Sequence, residues 1–200
     1  MSTSAVKIAN LALSNVGTAT TIESFTENSV EAKQLKLWYD FARKQTLEAF
    51  DWNFARKRLD LATHSDDAPS NEWVYRYQYP ADALAIRRLE NPNGKTDNAI
   101  PFEVENSESG EEKTILTDLA EARVVYTFDN TNPDMYSSVF INALSSLLAH
   151  YIGFVLTGKK AVVDGNLQRY VMFLRMAEYV SGTEKVQDKP RDTDWIRERQ

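Results

Sequence analysis

The side chains able to do chemistry in this chain are few and scattered. His64 and His150 are its two histidines. Neither stands at metal-ligand spacing to the other or to a pair of carboxylates. Each therefore reads as structural, His64 in a polar loop and His150 on a helix among leucines. Cysteine is absent, which removes thiolate nucleophiles, disulfides and Cys-ligated zinc. The seven glycines form neither a Walker-type loop nor a dinucleotide fingerprint, and Gly-x-Ser-x-Gly does not occur. Nucleophilic catalysis has no candidate, so the expectation is a non-enzyme with no cofactor and no metal. An unrecognised carboxylate site is the remaining catalytic reading.

Charge offers two further possibilities. Between residues 102 and 122 lie Glu103, Glu105, Glu108, Glu111, Glu112, Asp118 and Glu121 against Lys113 alone, which accounts for the whole net charge of −6. These acids lack the spacing of a calcium loop, and a solvated acidic hairpin explains them as well as a cation site does. Such a segment also disfavours nucleic acid, whose phosphates need cationic partners. Arg56-Lys57-Arg58 and Arg87-Arg88 are the dense basic spots. Interleaved with aromatics, they could stack and pair a single strand. On a strand, Arg56 and Arg58 share one face while Lys57 takes the other. A polar sheet face, or pairing with a neighbour's acids, is the simpler role.

The elements that carry these residues follow from periodicity. Val6, Ala9, Leu13 and Val16 recur at helical spacing and Gly17 stops them. Asn28 or Ser29 caps a second helix that runs to about Phe50, with Leu35, Trp38, Ala42 and Ala49 on one stripe. Leu37 and Phe41 add a second stripe, which implies contacts on more than one side. Alternation from Phe54 to Ala62 predicts a strand. Residues 64–71 make a loop, and Trp73, Tyr75, Tyr77 and Tyr79 alternate up to Pro80 as a second strand. Another strand covers 84–89, followed by a turn at Asn91-Pro92-Asn93-Gly94. A short hairpin pairs 100–104 with 114–116, and a last strand covers 123–128. Helical spacing returns after Pro133 with Phe140, Leu144, Leu147, Leu148, Tyr151, Ile152 and Val155, closed by Thr157-Gly158. The final helix, at 166–180, presents Leu167, Tyr170, Val171, Leu174 and Ala177.

The apolar run at 139–156 is broken by Asn142, Ser145, Ser146, His150 and Gly153, so a buried helix is expected and no membrane span. The first residues lack the basic start and apolar run of a signal peptide. Two hundred residues with 42% hydrophobic content suffice for one core with an inserted subdomain. The predicted fold is α+β: a four-helix bundle with an antiparallel β subdomain inserted between helices 2 and 3, and an extended C-terminal tail. Its parts are 1–53 and 132–182 for the bundle, 54–131 for the insert and 183–200 for the tail. Phe50, Trp52, Phe54, Trp73, Tyr75 and Tyr77 are expected to form the junction between the layers, with the tyrosine face packed on the helices.

Phe50-Asp51-Trp52-Asn53-Phe54-Ala55 closing a long helix, and Trp73-x-Tyr75-x-Tyr77-x-x-Pro80-Ala81-Asp82 after it, resemble elements of the head-to-tail adaptor family of short-tailed bacteriophages (tail tubular protein A). The early helix ending at Gly17, the late helix pair after Pro133 and the charged tail are similar as well. The resemblance implies a structural virion protein, assembled in the host cytoplasm and seated at the head–tail junction. It implies a ring, commonly of about twelve copies, in which helix packs against neighbouring helix. The ring would bind the portal protein and the tail nozzle, often with tail fibres, and extend the channel through which viral DNA passes without specific binding. Under that resemblance, Pro190, Arg191, Trp195 and Ile196 would anchor the tail in the portal. Glu103, Glu105, Glu108, Glu111 and Glu112 could line the channel, face outward or meet a basic nozzle surface. A neck or head-completion protein of a long-tailed phage is the neighbouring reading, and a nucleic-acid-binding regulatory module is the more distant one.

Overall fold

The structure, a computed structural model, describes residues 3–69, 71–92 and 99–184, with side chains up to residue 180. Four helices frame it: α1 (Ala5–Val16), α2 (Val30–Ala49), α3 (Ser138–Thr157) and α4 (Lys160–Glu184). Their ends obey local chemistry. The side chains of Ser4, Ser29 and Ser137 each accept a backbone N–H in the first turn, of Lys7, Ala32 and Phe140 respectively. Gly17 and Gly158 close α1 and α3 in the left-handed region, at φ 86° and 65°, where a side chain would be strained. A single residue, Lys159, separates Gly158 from α4, which therefore starts earlier than the periodicity predicts.

The central element is α3, packed against α1, α2 and α4. Its length and composition would suit a membrane span. Here much of its apolar surface is spent on the core, since Phe140, Ala143, Leu144, Leu147, Leu148 and Ile152 are all buried. Ile8 and Leu13 of α1 and Leu35 and Leu47 of α2 complete the same cluster. Each such side chain contributes about 1.5–3 kcal/mol on leaving water.

Between α2 and α3 the described residues form six strands: β1 (Arg56–Asp60), β2 (Tyr75–Gln78), β3 (Ala83–Glu90), β4 (Glu103–Asn106), β5 (Lys113–Thr117) and β6 (Arg123–Phe128). They make two antiparallel three-stranded sheets, ordered β1-β6-β3 and β2-β5-β4. The fold is thus α+β, with every strand lying between helices 2 and 3 in sequence. A second core joins the sheets, with Leu89, Val124 and Tyr126 of the first meeting Tyr77 and Ile115 of the second.

The junction aromatics divide between the two cores. Phe50, Trp52 and Phe54 belong to the helical cluster, whereas Tyr75, Tyr77 and Tyr79 belong to the β cluster, so the tyrosine face packs on sheet and not on helices. Trp73 joins neither set; its indole N–H donates to Glu103 Oε2 of β4 at 3.3 Å. The predicted strand from Phe54 to Ala62 also starts late. Asn53–Ala55 form a single 3-10 turn, because Phe54 and Ala55 are drawn into the helical core before β1 begins at Arg56.

What fastens the insert to the helices is a pair of β-bulges in β3. Its register against β6 slips between Ala83 and Ala85 and again between Ile86 and Arg88, leaving Leu84 and Arg87 as the extra residues. A bulge re-aims the side chain it carries. Leu84 packs against the helical cluster. Arg87 reaches the end of α2, where its Nη2 donates to the carbonyls of Leu47 (3.1 Å), Glu48 (2.9 Å) and Phe50 (2.8 Å) while Nε donates to Thr127 Oγ1 (2.8 Å). These are carbonyls a helix terminus leaves without partners, and a cation is favoured at that end of the dipole.

Candidate functional site

The basic cluster that sequence offered to nucleic acid is spent inside the molecule. Arg56 makes a two-pronged pair with Asp51, Nε to Oδ1 at 3.0 Å and Nη2 to Oδ2 at 2.7 Å. Lys57 reaches Asp82 Oδ2 at 2.6 Å and lies 4.1 Å from the Phe128 ring centroid. Arg58 and Arg88 share Glu90. Arg87 is the helix cap just described. The acids that answer these cations come from the chain itself. Burial works against the Asp82 carboxylate, yet hydrogen bonds from Lys57 and Tyr126 outweigh it and hold its pKa below the ordinary value.

A second polar knot lies where β6 leads into α3. Arg43 on α2 is 4% exposed; it pairs with Asp129, and its Nη1 donates to the Asn130 carbonyl at 3.2 Å. The Tyr136 hydroxyl donates to that same carbonyl at 2.6 Å, and the Asn130 amide donates to the Phe54 carbonyl at 3.1 Å. Burial pushes the Tyr136 phenol up to about 12. Every group here is occupied by another group of the knot, which holds α2, the 3-10 turn and α3 together.

The remaining candidates are similarly engaged. His64 Nδ1 accepts the Asp66 N–H at 3.0 Å, and its Nε2 lies 3.4 Å from Glu112 Oε2. His150 donates from Nδ1 to the Val163 carbonyl at 3.0 Å, tying α3 to α4. Glu103 and Glu105 sit on β4, and Glu108, Glu111 and Glu112 in the connection between β4 and β5. Glu105 Oε2 stands 4.0 Å from Arg76 Nη2, and the buried Nε and Nη1 of that arginine have no hydrogen-bond partner. Among the described residues, no group of three acids or histidines is placed to hold a metal ion. Pro190, Arg191, Trp195 and Ile196 lie outside the described residues.

The surface with unspent chemistry is apolar. On α2, Leu37 and Phe41 are 65% and 56% exposed, on the side opposite the buried Leu35, Ala42 and Thr46. Trp38 stacks on Tyr151 of α3 at 4.7 Å between centroids, and Phe41 meets the same ring edge-on at 5.8 Å. Further along α3, Phe154 and Val155 are exposed as well. On α4, Tyr170 and Ala177 are buried, but Leu167 and Val171 of the same predicted stripe turn partly outward. They join Met172, Met176 and Tyr179, which are 48%, 46% and 79% exposed. These three recur at i, i+4 and i+7, a helical signal that sequence carried beside the buried stripe.

Isolated exposed apolar side chains are ordinary, but helices with one apolar face buried and a second presented to solvent mark association surfaces. No protein-family model and no curated protein sequence matches the chain.

Proposed function

We propose that this protein is a structural virion component, an adaptor whose copies close into a ring between portal and tail nozzle of a short-tailed phage. The observation that carries this reading is the second apolar face on α2 and on α4, each on a helix already buried on its other side. A monomer has no use for such faces, while a ring wall built from repeated helix contacts covers them all. The aromatic closure of α2 and the Trp73-to-Asp82 element support the same assignment through their resemblance to the adaptor family.

In this role the helices form the wall and the two sheets form a platform held at a set angle by Arg87 and Leu84. The acidic hairpin around Glu103–Asn106, where it borders the channel, would repel DNA and keep it moving. Residues 183–200 supply the portal anchor.

Light scattering of the purified chain, alone and mixed with the portal protein of its phage, tests the assignment. Co-assembly into a particle carrying several copies per portal ring is the expected result, lost when residues 183–200 are deleted. A chain that never joins the portal overturns the adaptor reading. Attachment that survives the deletion overturns the anchor.

A further inference from the structure

The last described turns of α4 border a hollow of about 90 Å³ whose walls come from three elements. Phe50, Trp52 and Phe54 supply one wall after the end of α2, Val139 at the start of α3 a second, and Ala177 and Val180 of α4 the third. Phe50, Phe54 and Val139 are only half-buried against the helical cluster. We infer that this hollow is the seat of the chain's own tail, with Ile196 entering it and Trp195 lying at its rim.

Reach, size and charge select this occupant. Helix α4 runs to Glu184, about one turn past Val180, so the chain leaves it beside the hollow. Coming back requires about 6 Å along the helix and about 10 Å across it. Residues 185–195, about eleven of them, have a root-mean-square span of about 17–20 Å as a linker. A linker that matches its span gives an effective concentration in the millimolar range, enough to fill a site with a dissociation constant of about 1 mM. Within 185–200, Trp195 and Ile196 are the adjacent apolar pair, and Val186 stands too close to the helix end to turn back. An apolar cavity of about 150 Å³ takes a benzene ring. The smaller hollow here therefore suits the four-carbon side chain of isoleucine and not an indole. The first turn of α3 contains no acid, and its cap, Ser137, also lines the hollow. Asp194 and Glu198 flank the apolar pair, so either chain direction brings a carboxylate to the positive end of that helix. The consequence for assembly rests on the adaptor reading proposed above: the free chain holds its anchor pair in the hollow, and the portal competes for that pair.

The chain has no cysteine, so an introduced pair reports proximity without interference. In the full chain, Val139→Cys is combined with Thr193→Cys, Ile196→Cys or Gln200→Cys. Disulfide formation, with oxidised glutathione as the electron acceptor, is followed by intact mass. The bond joining positions 139 and 196 should form at least about ten times faster than either other, at a rate independent of protein concentration. A free peptide of residues 190–200 at about 5 mM should slow it about threefold or more, and the same peptide carrying Ile196→Ser should not. Equal rates at the three tail positions overturn the inference. So do disulfides that form only between chains and quicken with concentration, or a peptide that competes no better than its Ile196→Ser variant. The chain locked through positions 139 and 196 should fail to bind the portal and recover on reduction. A locked chain that binds the portal as well as the reduced one overturns the anchor role of the tail, while the seat in the hollow is decided by the disulfide rates alone.

Discussion

In the helical core, Trp52 meets Phe50 and Phe140 edge to face at 5.0 and 5.1 Å, and Phe54 meets Phe140 in the same way at 5.1 Å. In the β cluster, the two buried rings are tyrosines whose hydroxyls are tied down, Tyr77 to the Leu119 carbonyl and Tyr126 to Asp82, both at 2.9 Å. In the helical core Phe50, Phe54 and Phe140 hold position by filling volume, and only Trp52 and Tyr136 among these rings add a tether, to the carbonyls of Thr46 and Asn130. Both buried rings of the β cluster hold it by volume and a polar tether, a tyrosine combining an apolar body with a polar end. The contrast teaches that residues adjacent in sequence serve two cores, and that their relative position rests on the few groups between them: Leu84, Arg87 and the Arg43 knot.

Breaking the helical side should cost most. Trp52→Ala empties a site that is 4% exposed and deletes the indole bond to the Thr46 carbonyl at 2.8 Å. A loss of about 3–5 kcal/mol is expected from urea unfolding. A cost below about 1 kcal/mol would mean that the aromatic closure of α2 does not build the core. Arg87→Leu keeps bulk but strips the carbonyls of Leu47, Glu48 and Phe50 of their donor, at about 2–3 kcal/mol. Hydrogen exchange should show β2 and β5 amides losing protection before those of α3. Equal loss in both regions would show that the two cores unfold as one and that Arg87 is no special tie.

The tether sharpens the comparison by pH. Burial, then the hydrogen bond to Asp82, pushes the Tyr126 phenol up to about 12. With the folded value raised above the ordinary value of about 10, the unfolded chain loses its proton first. The associated stability is complete below about pH 10 and drains away as pH climbs to about 12. Tyr126→Phe should flatten that decline by about 1–2 kcal/mol at high pH while costing about 1 kcal/mol at neutrality. Matching alkaline melts of the variant and the wild type would discard the tether.

Much of this was readable in advance. Ser29, Gly17 and Gly158 marked helix ends because capping chemistry is local, while the caps Ser4 and Ser137 emerge only in the structure. The strand block was equally plain from alternation. The division of the aromatics was hidden, since Trp52 and Tyr75 carry the same hydrophobic signal and only tertiary packing separates them. Arg87 looked like half of a charge patch with Arg88; a bulge, which sequence spacing does not mark, sends the two guanidinium groups to different places. On α4, the stripe chosen from sequence mixed buried Tyr170 and Ala177 with outward Val171, because a helix apolar on two sides gives periodicity no unique face.

The bulges at Leu84 and Arg87 also set a load path. A pull on the β4–β5 hairpin travels through the β cluster into the first sheet, and β3 then hands it to the helices at two points, through the apolar contact of Leu84 and through the hydrogen bonds of Arg87 to the end of α2. Antiparallel strands resist shear along their length far better than peeling from one end. The second sheet is therefore the compliant end of the molecule and the α2–β3 joint its stiff one, so strain arriving from outside would be absorbed by the tyrosine-tethered sheets before it reached the helices.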